Sequence, residues 1–401
     1  MQSLKRIMLF IFVTALAVYT SLTLLQIYYN AYVHLILFGC CIIFSHKPHK
    51  LILPLGLGAL TCALFMLLSV GKLAITPMSQ LGFYLHYITW PVVLVAVLNT
   101  FTLKQKLILM RLMLIVAIVG SLCSLRYLVV DPNISRLLAG AATATEMHNY
   151  FSKGIGGYGT VYATVFLCFG AIYWFVNTKV RTDRILIIAF LSSAYLFILY
   201  ASYTTAIIIT VIISLLAFTS KVKPMIKSLI VIAIISLLLV LLWDNIAESA
   251  INLFSELGLE RVVQRLTQLT QASQNNDMSS LQRTQLYIKS FEAFIEHPLK
   301  GGNVAGEHSQ ILDTLAYFGI AGFFMPLLLG YYSMKCIKLS SIRLSLFYIM
   351  FFALITVNTC SAMQIPVMVF CVCPLIVNTV KEQRSLAKTK KEQIVVKETS
   401  V

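Results

Sequence analysis

Apolar positions along this chain do not alternate with polar ones at the period of an amphipathic helix or strand. They run in long unbroken blocks separated by short polar or basic connections. Blocks fall near 6–24, 28–44, 51–71, 81–101, 105–127, 157–176, 185–200, 203–219, 226–243, 309–334, 344–360 and 364–380. Each approaches the roughly 20 residues a helix needs to cross the hydrocarbon of a bilayer. The pattern predicts an all-α fold, a polytopic integral membrane protein with about 12 transmembrane helices. A transmembrane barrel is excluded, because it is written in alternating segments of about 10 residues. The first block follows Lys5 and Arg6 as a secretory signal would. It lacks a small-residue cleavage pattern and many more blocks follow, so it reads as an uncleaved first helix.

Two connections interrupt this rhythm. Residues 128–156 carry Asp131, Arg136, Glu146, His148 and Lys153 and end in the glycine run 154–159, which reads as flexible. Residues 244–308 form a much longer polar insertion, and connections of that length are usually functional or disordered. Within it, Ile246, Ile251, Phe254, Leu257, Val262, Leu266 and their neighbours recur at helical spacing over 245–270, and Leu281, Leu286, Ile288, Phe291 and Ile295 do so over 280–296. The chain therefore divides into spans one to nine (1–243), a helical external cap (244–308), spans ten to twelve (309–380) and a basic tail (381–401).

Composition agrees with that division. Of 401 residues, 59% are hydrophobic and 11% charged, against about 25% charged in soluble domains. A soluble enzyme, a secreted disulfide scaffold and a disordered chain are all excluded. The net charge of +16 comes largely from alternate short connections: Lys5 and Arg6; Lys47 and Lys50; Lys104 and Lys106; Lys179, Arg181 and Arg184; Lys221, Lys223 and Lys227; Lys335, Lys338 and Arg343; and the tail. By the positive-inside rule these are cytoplasmic, which puts both termini in the cytoplasm. That placement also argues against nucleic acid as a partner. All but Asp183, Glu382, Glu392 and Glu398 of the 15 acids then lie outside or at its edge, so chemistry is expected on the external face. The 9 cysteines sit in or beside apolar blocks. They lack the spacing of a zinc site or a disulfide framework. No cofactor and no metal are expected. His34, His46, His49 and His86 read as span-end residues without visible partners, and Trp90, Trp174 and Trp243 as an interfacial belt.

The residues best suited to chemistry lie between Arg283 and Gly322. An amphipathic helix carries Arg283 near its start and stops at Pro298. The turn Pro298-Leu-Lys-Gly301 follows, then His308-Ser309, Asp313, and Gly319-Ile-Ala-Gly322 in the next apolar block. A carboxylate such as Asp313, one or two turns inside a membrane, is costly unless it faces protein or water. Arg offers a permanent charge and forked donors for phosphate, and His titrates where a general base is useful.

This stretch resembles the O-antigen ligase/polymerase superfamily, whose signature is an Arg, a helix ending in Pro-x-x-Gly, a His followed by Asn or Ser, and a helix with Gly-x-x-Gly. The match is close over about 40 residues, and the span layout extends it loosely along the chain. The mid-chain turn at 201–206 has no Arg, where ligases usually carry a Ser-Arg motif. The form of 308–313 and the Gly156-Gly157-Tyr158 run look more like Wzy-type polysaccharide polymerases.

The resemblance implies a glycosyltransferase of the bacterial cytoplasmic (inner) membrane with an external active site. Its partners would be an undecaprenyl diphosphate-linked oligosaccharide donor and a lipid-linked repeat-unit acceptor, with membrane lipids around it and room for a chain-length regulator protein. Because the leaving group is a diphosphate, neither nucleotide nor metal is required. Arg283 would steady that diphosphate and His308 would activate the acceptor hydroxyl. Asp313, Arg136, His148, Arg261, Arg265, Tyr158 and Tyr287 are candidate substrate contacts, the tyrosines by stacking on sugar rings. For Arg261 and Arg265, four apart near Glu256 and Glu260, surface ion pairing is the default reading. A ligase acting on lipid A core is the alternative within the superfamily. A twelve-span transporter or flippase for lipid-linked saccharides is the alternative of another class, although no internal repeat supports it.

Overall fold

A computed structural model of the chain describes residues 2–70, 77–131, 134–139, 144–201, 203–219, 243–256, 278–306, 311–321 and 364–399, with single positions 260, 263, 267 and 309. Every regular element among them is helical. The helices are α1 (Gln2–Ser21), α2 (Ala31–Ile43), α3 (Ile52–Ser69), α4 (Pro77–Thr100), α5 (Leu103–Leu128), α6 (Ile134–Ala139), α7 (Ala144–Ser152), α8 (Tyr158–Asn177), α9 (Arg181–Ala201), α10 (Thr204–Thr219), α11 (Trp243–Glu256), α12 (Met278–Glu296) and α13 (Ile311–Ala321). The last helix, α14, opens as Gln364–Val367, widens to a π-turn at Met368–Val372 and continues over Cys373–Thr399.

Among the described residues, six stretches are long and apolar enough to cross a membrane: Gln2–Ser21, Pro48–Leu68, Leu103–Leu128, Tyr158–Asn177, Arg181–Ala201 and Ile365–Ala387. Ala31–Ile43, Ile88–Thr100 and Ile311–Ala321 are shorter apolar helices. The expected spans at 226–243 and 344–360 lie outside the described residues. Of the expected cap, α11 and α12 are described and most of 257–277 is not.

Burial shows why this sequence forms a bundle and which helix is its axis. α8 is apolar all round, and every residue from Val161 to Trp174 is buried. A helix of that kind belongs inside other helices, and α9, α10 and α14 pack around it. Small residues bring α8 and α14 close together: a Cβ on Gly170 would come within 2.8 Å of Ile376 Cδ1, and Cys373 Sγ donates to the Phe166 carbonyl at 3.2 Å. Around this axis α5 packs on α9 and α1, α3 on α4, and α2 on α1 and α4.

The outer helices instead turn apolar side chains away from the protein. Ile36 and Ile43 on α2, Leu60 and Leu67 on α3, Leu122 on α5, and Ile185 and Ile188 on α9 are all exposed. So much outward apolar surface is unusual for a water-soluble monomer and is what lipid-facing helices show. Trp90 and Trp174, expected at the interface, are instead fully buried in the core.

The end of the bundle rich in Lys and Arg is held by ion pairs. Arg111 Nε lies 2.8 Å from Asp183 Oδ1, with Asp183 1% exposed, and Lys106 Nζ lies 2.7 Å from Glu382 Oε2. Nearby, Thr102 and Gln105 form a capping box at the start of α5. Lys106 and Asp183 are thus charges carried into the bundle as members of ion pairs.

Candidate functional site

The first structured region lies at the opposite end, where 128–157 folds back over the bundle. The glycine run expected to be flexible is buried and bonded. Ser124 Oγ accepts from the Gly156 amide at 2.8 Å, and Ser135 Oγ donates to the Gly156 carbonyl at 2.8 Å. Gly154 adopts φ +74°, a left-handed geometry that suits glycine. A Cβ on Gly157 would come within 2.7 Å of Leu138 Cδ2. The glycines are there for close approach, and this corrects the expectation of a mobile run.

Beside them, Tyr158 and Tyr162 of α8 meet Tyr203 from the α9–α10 turn. Ring centroids lie 4.6 Å apart for Tyr158–Tyr162 and 5.8 Å for Tyr158–Tyr203, and Tyr203 Oη donates to the Ser135 carbonyl at 2.9 Å. Tyr158 was legible as a candidate and Tyr162 stands four residues on, but Tyr203 was not legible as their partner, because 45 residues of sequence separate it from Tyr158. Next to this region, Ser21, Ala117, Gly120, Thr160 and Ala163 border a small groove between α1, α5 and α8.

The second region is the hairpin of α12 and α13, which carries the Arg283–Gly319 stretch. Its turn is interlocked backbone to backbone. Gly301 donates to the His297 carbonyl at 2.8 Å, Gly302 to the Ala316 carbonyl at 2.6 Å, and Ile320 to the Pro298 carbonyl at 2.9 Å. Ala316 C=O and Ile320 N–H are the pair an unbroken helix joins to each other. Here Gly319 sits at φ +63° between them, and each finds a partner in the turn. Satisfying freed backbone groups this way is what makes an interrupted helix tolerable at membrane depth. Gly301 is likewise left-handed, at φ +68°, and a side chain there would overlap the backbone of Tyr317. The Pro298-x-x-Gly301 and Gly319 elements are thus two halves of one contact.

Asp313 holds the hairpin from within. It is 1% exposed, and its two oxygens accept from Ser290 Oγ at 2.7 Å and from the Ser309 amide at 3.0 Å. The Gly306 amide donates to Ser290 Oγ at 2.7 Å. Gly306 also presses on α12 so closely that a Cβ would overlap the Leu286 carbonyl. Gly306 and Ser309 flank positions 307–308, and both are tied to the Ser290–Asp313 pair.

His308 itself lies outside the described residues, as do Arg261 and Arg265. Arg283 is described by its backbone on α12, on the helical stripe shared with Leu286 and Ser290. Tyr287 is half-buried one turn further on. Arg136 is described by its backbone on α6, and His148 is exposed on α7. The tyrosine group and the Asp313 group are built on different elements, α8–α10 and α12–α13. Among the described residues no group of three or more His, Cys, Asp or Glu is arranged to hold a metal ion.

A third cluster was not anticipated. His34 of α2 and His86 of α4 are both fully buried, with ring centroids 4.7 Å apart. They have partners, contrary to the expectation for span-end histidines. His86 Nε2 lies 3.1 Å from Tyr29 Oη, Trp90 Nε1 donates to His86 Nδ1 at 3.2 Å, and His34 Nε2 lies 2.8 Å from Thr89 Oγ1. Only the four-residue spacing of His86 and Trp90 on α4 was visible in the sequence.

Compared with known proteins, the chain is matched by no family model and by no curated protein. What the fold establishes is an all-helical protein with several helices able to cross a membrane.

Proposed function

We propose that the chain is a membrane glycosyltransferase, a polysaccharide polymerase that moves a growing glycan from undecaprenyl diphosphate to a lipid-linked repeat unit on the outer side of the cytoplasmic membrane. The reading includes about 12 spans with both termini cytoplasmic and a helical cap over residues 244–308. The single observation that supports it best is the interlock of Pro298–Gly302 with Ala316–Ile320. Two of the motif elements that carry the resemblance, Pro298-x-x-Gly301 and Gly319, form one built contact in this chain, which unrelated turns at the same spacing would have no reason to make.

In this reaction the bond between the anomeric carbon and the diphosphate oxygen breaks, and the leaving diphosphate keeps the electron pair. The acceptor hydroxyl attacks the same carbon and loses its proton. His308 takes that proton. Arg283 stabilises the charge that grows on the diphosphate, by charge-assisted hydrogen bonds. Asp313 is a positioning residue: its contacts tie Ser290 to Ser309, the residue next in sequence to His308. Tyr158 and Tyr203, both partly exposed, offer ring faces to sugars, and the buried Tyr162 backs Tyr158.

The test is genetic and chemical. Arg283→Ala and His308→Ala should abolish long-chain glycan while the protein still inserts, whereas His297→Ala should be mild. Unchanged chain length in the first two would remove both residues from the site. Consumption of lipid-linked repeats only when lipid A core is supplied would favour a ligase instead.

A further inference from the structure

The His34–His86 cluster contributes nothing to the glycosyl-transfer reading and stands apart from it, so its chemistry can be argued alone. The hydrogen-bond inventory fixes where its protons are. Indole N–H only donates, so the 3.2 Å contact from Trp90 Nε1 makes His86 Nδ1 an acceptor. His86 therefore carries its proton on Nε2, donated to Tyr29 Oη at 3.1 Å. The Thr89 hydroxyl gives its proton to the Leu85 carbonyl at 2.8 Å. Its oxygen is then the acceptor for His34 Nε2–H, also at 2.8 Å. Both imidazoles are neutral Nε2–H tautomers. One polar atom is left over: His34 Nδ1, a buried lone pair with no hydrogen-bond partner.

That atom is where the cluster can accept a proton. His86 cannot take one without giving up the Trp90 bond, whereas His34 can take one at Nδ1 and lose nothing it already has. Two imidazolium rings with centroids 4.7 Å apart repel strongly in a medium of low polarity, so the cluster takes one proton and not two. The groups facing His34 are His86 from α4, Tyr29 from the segment before α2 and, stacked behind it at 5.8 Å, Tyr19 from α1. Cys40 and Cys41 lie further along α2 itself. His49 and Lys50, in the short turn Pro48–Leu51 that also packs on α2, sit at its other end, where Lys50 Nζ donates to Asn99 Oδ1. Among the described residues no carboxylate pairs with either ring, so nothing repays a positive charge placed there.

The consequence falls on α2. This helix is peripheral, with Tyr32, Val33, Leu35, Ile36 and Ile43 exposed, and its fully buried residues are His34, Phe38 and Cys41. His34 is the one that hydrogen-bonds α4.

We propose that His34 is a proton-binding site whose occupancy releases α2 from α4. The imidazolium formed at Nδ1 has an unpaired N–H and a charge with no counter-ion while it stays in the bundle. It gains hydration only if the Asn30 end of α2 swings out. The latch is closed when His34 is neutral and weakens as pH falls, by a factor of ten per pH unit beyond its midpoint.

Hydrogen exchange on the full chain in lipid nanodiscs, corrected for the intrinsic pH dependence of exchange, reads this directly. Protection of Ala31–Ile43 relative to α5 should fall by about tenfold or more between about pH 7.5 and about pH 4.5, with the slope of a single proton. His34→Gln keeps an N–H for Thr89 but cannot be protonated, and should make protection of α2 independent of pH. His49→Gln, at an exposed position, should titrate as the unmodified protein does. A flat profile in the unmodified protein would overturn the proposal, and so would an unchanged transition in His34→Gln. Because the readout is helix protection, loss of glycan polymerisation has no bearing on it.

Discussion

Replacing Gly301 by alanine probes the contact on which the hairpin depends. Three costs add there. Holding an L-residue at φ +68° costs about 1–2 kcal/mol. The new methyl overlaps the Tyr317 carbonyl group and the Phe318 nitrogen, which are backbone atoms that cannot swing aside, and overpacking of that kind costs about 1–3 kcal/mol. Relieving the overlap pulls the turn from α13 and stretches the Gly302–Ala316 and Pro298–Ile320 hydrogen bonds, each worth about 1 kcal/mol net. The expected loss is roughly 4–7 kcal/mol of local stability if both hydrogen bonds are lost. Proteolysis of the full chain in nanodiscs, scored at residues 297–306, measures it alongside thermal unfolding. Gly39→Ala is the comparison, because a Cβ there meets nothing within 4 Å and helix propensity favours alanine by about 0.5–1 kcal/mol. Gly301→Ala as resistant to cleavage as Gly39→Ala would refute the interlock.

Two further substitutions test other parts of the architecture. Arg111→Met should destabilise the bundle by about 3–5 kcal/mol, since it strands the buried Asp183 carboxylate; Asp183→Asn in the same chain should recover much of that in a thermal-unfolding series. Asp313→Ala leaves Ser290 Oγ and the Ser309 amide without their acceptor and should cost about 2–4 kcal/mol with faster cleavage near 306–309, while Asp313→Asn, which keeps one acceptor oxygen, should cost less.

Much of the helical architecture was legible because it is written in local composition. The blocks at 6–24, 105–127, 157–176, 185–200 and 364–380 coincide with helices of spanning length, and the predicted amphipathic segment at 280–296 is α12 within two residues. What sequence could not show is which apolar block sits inside which. Lipid and protein interior ask for the same residues, so Trp90 and Trp174, read as belt residues, are in fact core. The glycine run at 154–157 carries composition that fits flexibility, yet its meaning depends on Ser124 and Ser135 closing over it. The site was legible only as a one-dimensional motif. Pro298, Gly301 and Gly319 could be noticed, but not that their backbones exchange hydrogen bonds. The pairing of His34 with His86 was not legible because 52 residues separate them, and neither belongs to a motif.

The most direct measurement of the central claim is reconstitution. Purified full-length chain in nanodiscs should be given undecaprenyl diphosphate-linked repeat units and no other acceptor, and the products resolved by mass. The account predicts a ladder of longer lipid-linked glycans with stoichiometric release of undecaprenyl diphosphate, abolished by Arg283→Ala. Repeat units that remain single, or a ladder that Arg283→Ala leaves intact, would contradict it.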